Sequence, residues 1–339
     1  MAAAADERPV LLVLRALGLG DLLTAVPALR ALRERFSDHR PVLAAPAPLG
    51  PLVRLAAGFE LADTAPLAPL PGWLRGADVA VNLHGRGPQS HRVLLASRPR
   101  RALWYANPGV PQSADGPPWR EEEHEVRRWC RLLAHYGIPA DPGRLEIPVP
   151  DLPVPPEARG ATLIHPGAAS PARRWPPERW AAVARSEAAS GRTVLITGGP
   201  GEEGLALRVA SLAGLPSRCV LAGRTDLLRL AALVAAAGRV ASGDTGVAHL
   251  ATALQTPSVV LFGPTPPSRW GPPPGRSLHR VLWAGTTGDP HGSRPDPGLL
   301  RIGVEEVLRE LGSLPEAALS VASRLQPSGQ NPRPPAEPG

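Results

Sequence analysis

The stretch VLLVLRALGLGDLLTAVPALRALRERF, residues 10–36, carries a strand, a glycine turn and a helix in succession. Val10–Leu14 is an unbroken apolar run, as expected of a strand buried on both faces. Gly18 and Gly20 let the backbone turn tightly and bring it close to any ligand. Val26, Leu29, Leu32 and Phe36 then recur at helical spacing.

Working outward, further apolar runs lie at 41–45, 79–83 and 102–105, with helical patterns at 50–61 and 121–136. Five prolines fall between 148 and 156, the best linker in the chain. Beyond it the pattern restarts. Strand-like runs at 161–165, 193–197, 219–222, 239–241 and 258–262 each end in or near glycine, and helical segments at 177–190, 202–212, 227–237 and 246–254 separate them. Strands alternating with helices predict parallel sheets with right-handed crossovers. Two such halves across a proline linker predict an α/β protein of two Rossmann-like domains. Nine prolines between Pro264 and Pro297 predict a long irregular connection, with a short helix at 304–311 after it. From Pro327 the composition predicts disorder.

Composition narrows the class. The 339 residues include 44 Pro, 35 Gly and 2 Cys, and the apolar fraction is 43%. So many prolines exclude an all-helical bundle. Two cysteines, Cys130 and Cys219, cannot make a disulfide framework, so a reducing compartment is the simpler reading. All 37 basic residues are Arg, a bias expected of a GC-rich genome, so any phosphate contact must use a guanidinium fork. Asp6 and Glu7 break the N-terminus as a secretory signal, and no apolar run reaches the ~20 residues of a spanning helix. The expectation is a cytoplasmic protein, whose Arg-rich surface leaves peripheral contact with the inner face of a membrane open. The formal charge of +7 shows no sign of a nucleic-acid groove.

In open α/β sheets ligands bind at the carboxyl ends of the strands, and the polar residues of this chain gather there. Asp21 follows the first glycine turn; taken alone, the motif reads first as a carboxylate capping its helix. His165-Pro166-Gly167-Ala168-Ala169-Ser170, then Arg173 and Arg174, could hold an anion on exposed N–H groups and a guanidinium, or form an ordinary loop with solvated arginines. Trp175 reads as a packing anchor. Asp244-Thr245-Gly246 with His249 ends a strand and opens a helix, where N–H groups and the helix dipole favour a phosphate. A capping Asp244 and a buried, satisfied His249 are the competing readings. Glu202 and Glu203 could meet ribose hydroxyls or support a helix N-terminus. The polar run holding His84, Arg86, Gln89 and Ser90 could bind a hydroxylated acceptor. His84 and His91 lack metal-ligand company and no Asp-x-Asp pair occurs, so no metal site and no cofactor are expected.

Taken together and in order, these motifs and the segment Phe262-Gly263-Pro264-Thr265 resemble glycosyltransferase family 9, the heptosyltransferase-like enzymes of the GT-B fold, over about residues 8 to 312. The resemblance implies an acceptor-binding domain at 1–152, a nucleotide-sugar donor domain at 153–312, and a Pro-rich, largely disordered tail at 313–339. It implies metal-independent, inverting transfer of a sugar from a nucleotide diphosphate, ADP-heptose in typical members, to a glycan or glycolipid hydroxyl. Carried over by position, Asp21 is the catalytic base, whose help is worth ~10²–10⁴-fold. Arg173 stands where the family has a phosphate-binding Lys. Gly20, Gly167, Ala168, Ala169 and Ser170 line the donor site. Thr245, Gly246 and His249 hold the diphosphate as charge develops on it. Asp244 meets the sugar and Glu203 the ribose, with Glu202 an equally close neighbour. His84, Arg86, Gln89 and Ser90 fall on the acceptor side. Donor sugar and acceptor stay open. A sugar-nucleotide epimerase of the same architecture and a non-catalytic nucleotide-sugar binder are the alternatives.

Overall fold

The computed structural model describes residues 8–275 and 277–315. The expected tail therefore lies almost wholly outside the described residues. The first half of the chain runs β1 (Val10–Leu14), α1 (Leu19–Arg35), β2 (Arg40–Ala45), α2 (Gly50–Ala57), β3 (Glu60–Asp63), β4 (Val79–Asn82), α3 (Gln89–Ala96), β5 (Arg101–Leu103) and α4 (Glu125–His135). Its strands form one parallel sheet in the order β3-β2-β1-β4-β5. The second half runs β6 (Thr162–His165), α5 (Pro177–Ala189), β7 (Val194–Ile196), α6 (Glu203–Ala213), α7 (Leu227–Ala236), β8 (Arg239–Gly243), α8 (Gly246–Ala253), β9 (Ser258–Phe262), α9 (Pro267–Trp270), β10 (His279–Trp283), α10 (Pro297–Arg301) and α11 (Val304–Gly312). Its sheet is also parallel, in the order β10-β9-β8-β6-β7.

Burial explains why these runs are strands. Leu11 to Leu14 in β1, all of β6 and all of β8 are covered on both faces, as parallel strands between helical layers must be. Trp175 is the packing anchor its position suggested. It is buried, its indole donates to the Ile302 carbonyl at 3.2 Å, and it meets Trp180 edge-on at 4.9 Å. Such aromatic pairs add about 0.5–1.5 kcal/mol beyond their buried area.

Three expectations need correction. The helical pattern at 50–61 stops at Ala57, because Gly58 takes a left-handed φ of +68° and the chain turns into β3. The run at 219–222 is not a strand: it begins in a tight turn ending at Cys219, and only Val220 bridges to Ile196. The proline-rich connection after Pro264 is not irregular throughout, since β10 forms inside it and pairs with β9 along its whole length.

The halves meet along two helix pairs, α1 on α8 and α2 on α7. Hydrogen bonds also join them, among them Gln255 Nε2 donating to Glu146 Oε1 at 3.3 Å. His124 Nε2 donates to the Gly271 carbonyl at 2.9 Å, and Ile147 N–H donates to the Ala253 carbonyl at 3.0 Å. Among the described residues no helix is long and apolar enough to cross a membrane.

Candidate active site

Each sheet reverses its strand order once, and ligands of such sheets bind where that reversal opens a crevice. In the first sheet the reversal lies between β1 and β4, whose ends carry Gly18–Asp21 and His84. In the second it lies between β6 and β8, whose ends carry His165–Ser170 and Asp244–His249. The N-termini of α1 and α8 bring the two crevices together. A Cβ on Gly20 would lie 2.8 Å from His249 Cδ2, and one on Gly246 would lie 2.8 Å from Leu19 Cβ, so glycine at both positions permits the contact.

Asp21 stands in the first turn of α1. One carboxylate oxygen accepts from Gly18 N–H at 3.2 Å, and the other faces Arg15 Nη2 at 3.5 Å. It therefore does cap its helix, yet its side chain keeps about a quarter of its surface exposed. Burial raises its pKa above the ordinary aspartate value, Arg15 works against that rise, and Glu125 adds to it. His84, near the same Arg15, has its Nδ1 buried and without a partner. Burial, aided by Arg15, lowers its pKa to about 4, so the imidazole is neutral near pH 7.

The opposite wall is built from unpaired polar groups. Arg173 donates from one Nη to the Asp244 carbonyl at 3.2 Å, while its Nε is buried without a partner. Thr245 occupies the cap position of α8 but makes no capping bond, and its hydroxyl is also buried and unpaired. Ser242 Oγ is a third such atom. Each buried unpaired group costs ~1–3 kcal/mol, and N–H groups at a helix N-terminus favour negative charge. Asp244 is buried, which pushes its pKa up to about 6 against the pull of Arg173. Burial likewise lowers His249 to about 4, with His124 contributing, so this imidazole is neutral too.

Glu202 and Glu203 face different ways. Glu202 accepts from Gly199 N–H at 2.7 Å, lies 3.8 Å from His165 Nε2, and fills the space beside Gly167 where any Cβ would collide with it. Glu203 accepts from Gly201 N–H at 2.9 Å and packs toward Gly223, away from the β6 end.

The pattern of "Glycosyltransferase family 9 (heptosyltransferase)" matches residues 117–287, half of the chain. The chain belongs to glycosyltransferase family 9. Lipooligosaccharide heptosyltransferase 2 of Haemophilus influenzae is 37% identical over 106 residues, which span 30% of this chain and 30% of that protein. The aligned part thus spans under a third of that relative's length. Two solved E. coli structures share the fold. ADP-heptose LPS heptosyltransferase II superposes with a TM-score of 0.70 at 23% identity, covering 89% of this chain and 97% of the other. Heptosyltransferase WaaC with ADP gives 0.66 at 18% identity, covering 89% and 99%. The family 9 fold is GT-B, and the two parallel sheets are its two Rossmann-like layers.

Against that fold, the family 9 residues named from the sequence divide clearly. Asp21, Arg173, Asp244, Thr245, Gly246 and His249 converge on the cleft. Gly20 serves the α1–α8 contact and Gly167 makes room for Glu202. Ala168 is buried and its carbonyl accepts from Arg174 Nε, whereas Ala169 is exposed. Two residues make hydrogen bonds inside the fold. Ser170 donates to the Gly292 carbonyl and caps the turn at Ala172. Ser90 is buried and accepts from Asn82 Nδ2 at 2.9 Å, in a network that also holds His91. Arg86 pairs with Glu121 at the surface, and Gln89 is exposed. Arg15, Glu125 and Ser242 also belong to this region. Ser242 opens the strand-end motif with no role assigned from sequence, Arg15 shows only as a charge directly after an apolar strand, and Glu125 leaves no sign.

Proposed function

We propose that this family 9 chain is a metal-independent, inverting glycosyltransferase that moves a heptose-type sugar from an ADP-activated donor to a hydroxyl of a lipopolysaccharide-core acceptor. The observation that carries the reading is the set of unpaired groups, Arg173 Nε, Thr245 Oγ1 and Ser242 Oγ, near the uncapped N-terminus of α8, the helix that packs against the α1 bearing Asp21. Arg173 and the α8 dipole supply positive charge where a leaving diphosphate accumulates negative charge, which supports a mechanism without a metal. Asp21, on the opposite wall, takes the acceptor proton as the new bond forms. A base on one face and a leaving-group site on the other supports inversion at the anomeric carbon. Asp244, short of partners, accepts hydrogen bonds from the donor sugar. Glu202, turned toward the strand ends, meets the ribose in preference to Glu203. His84, which shares the Arg15 neighbourhood with Asp21, falls on the acceptor side. ADP is the nucleotide held in the E. coli WaaC structure, and heptosyltransferase is the name shared by the relatives.

Thermal-shift screening against ADP-, GDP-, UDP- and dTDP-sugars tests the donor, because a ligand that binds only the folded state raises apparent stability. The hit is then incubated with core-truncated lipopolysaccharide in EDTA, and the anomeric configuration of the product is read by NMR. Stabilisation by ADP-sugars with transfer in chelator and inverted product supports the reading. Conversion of the free sugar nucleotide without acceptor would establish the epimerase alternative.

A further inference from the structure

Arg15 is 1% exposed, an unusual place for a guanidinium that only ends a strand. Nε donates to the Asp21 carbonyl at 2.5 Å, and one Nη donates to the Leu83 carbonyl, the residue before His84. The other Nη reaches Thr24 Oγ1 at 3.1 Å, Glu125 Oε1 at 3.1 Å and the Asp21 carboxylate at 3.5 Å. The guanidinium lies 4.8 Å over the ring of Trp129. Glu125 is locked in turn: Trp129 Nε1 donates to it at 2.9 Å, and Arg128 pairs with its second oxygen. One cation thus fixes the backbone on both sides of the crevice and faces the carboxylate between them.

We propose that Arg15 is the positioning residue for Asp21, holding its carboxylate oriented and ionised, and that Glu125 sets how much of the Arg15 charge reaches it. The proposal rests on the reading of Asp21 as base. The charged groups that act on Asp21 are Arg15 after β1 and Glu125 on α4. Around them, Thr24 on α1 and His84 after β4 lie by Arg15, Arg128 holds Glu125, and His249 on α8, near Arg173, packs on Gly20. Both histidines are neutral near pH 7. The charge balance at Asp21 is therefore set mainly by Arg15 against Glu125, which act on it in opposite directions.

That opposition supplies the test. With ADP-heptose as donor and core-truncated lipopolysaccharide as acceptor, the acid limb of kcat/KM marks ionisation of the base in the free enzyme. In Arg15→Met the limb moves up by about one pH unit or more, since an opposite charge this close is removed. Arg15→Lys returns most of that shift. In Glu125→Gln the limb moves down, because a like charge is lost while the amide still fills the site. Affinity for ADP, measured by calorimetry, stays within about twofold in all three, a binding difference under ~0.5 kcal/mol. An unmoved limb, or shifts of the same sign in Arg15→Met and Glu125→Gln, overturns the proposal. If Arg15→Met does not fold, Glu125→Gln decides alone: a downward shift supports positioning, and no shift or an upward one refutes it. Asp21→Asn separates the layers. Full turnover in that variant removes the base reading and this proposal with it, whereas an inactive Asp21→Asn with an unmoved Glu125→Gln limb removes only the role of Arg15.

Discussion

Gly20 on α1 and His249 on α8 touch so closely that no methyl group fits between them, since a Cβ on Gly20 would lie 2.8 Å from the imidazole Cδ2. Gly20→Ala must therefore push the two helix N-termini apart or turn the ring of His249. Overpacking of this kind costs about 1–3 kcal/mol. The expected result is a modest fall in Tm with a larger fall in kcat/KM, because the displaced residues flank Asp21 and the α8 N-terminus. Unchanged values of both show that the contact does not matter.

Asp21→Asn is expected to lower kcat by ~10²–10⁴-fold, the usual worth of a positioned general base. Calorimetric affinity for ADP should change little, since the carboxylate stands on the wall opposite α8. In the parent protein activity should fall on acidification at a pH above the ordinary aspartate value, as burial raises the Asp21 pKa.

Arg173→Ala removes a charged donor beside Asp244. Hydrogen bonds to charged groups are worth about 1.5–3 kcal/mol, so ADP affinity should fall by roughly 10- to 150-fold. Arg173→Lys keeps the charge and recovers part of the loss. Equal affinity for ADP in parent and Arg173→Ala contradicts the assignment.

How much of this was legible beforehand depends on the range of the interaction involved. The strand–turn–helix at 10–36 and the Asp244–His249 segment are local, so their spacing sufficed to place them at strand ends. Phe59 continued an apolar rhythm past Ala57, and only the left-handed Gly58 ends that helix. Strand β10 was hidden because His279 and Arg280 open it and prolines surround it; pairing with β9 on one side alone builds it. Glu125 meets Arg15 across 110 residues of chain, a proximity no spacing rule encodes. Glu202 and Glu203 are neighbours in sequence, yet the start of α6 gives them different partners, Gly199 and Gly167 for one and Gly201 and Gly223 for the other.

Acid should destabilise the protein before neutral pH does. His84 and His249 have folded pKa values of about 4, below the unfolded value of 6.5. The unfolded chain therefore binds more protons between those limits, and stability falls as pH drops from 6.5 toward 4. His249, fully enclosed, contributes up to about 3 kcal/mol to that fall, and half-buried His84 less because solvent screens it. Asp244, raised to about 6, acts the other way below that pH. Urea unfolding between pH 4 and 7 should show a flatter profile in His84→Gln than in the parent, and a steeper acid loss in Asp244→Asn.

Glu187 and Arg239 give a stability control far from the cleft. Both are buried, 3.1 Å apart, with Thr162 also donating to Glu187. Glu187→Ala leaves a buried guanidinium uncompensated and should cost about 3–5 kcal/mol in urea unfolding.

Thr245 stands where α8 needs a cap and supplies none. An anion at that positive end would supply the partner that the side chain does not. Filling that end with an anion is worth ~0.3–2 kcal/mol to the helix as well as to the ligand. The amides at the start of α8 should then exchange with solvent faster in the free protein and slow on binding ADP, so that occupancy by donor and persistence of the folded enzyme rise together.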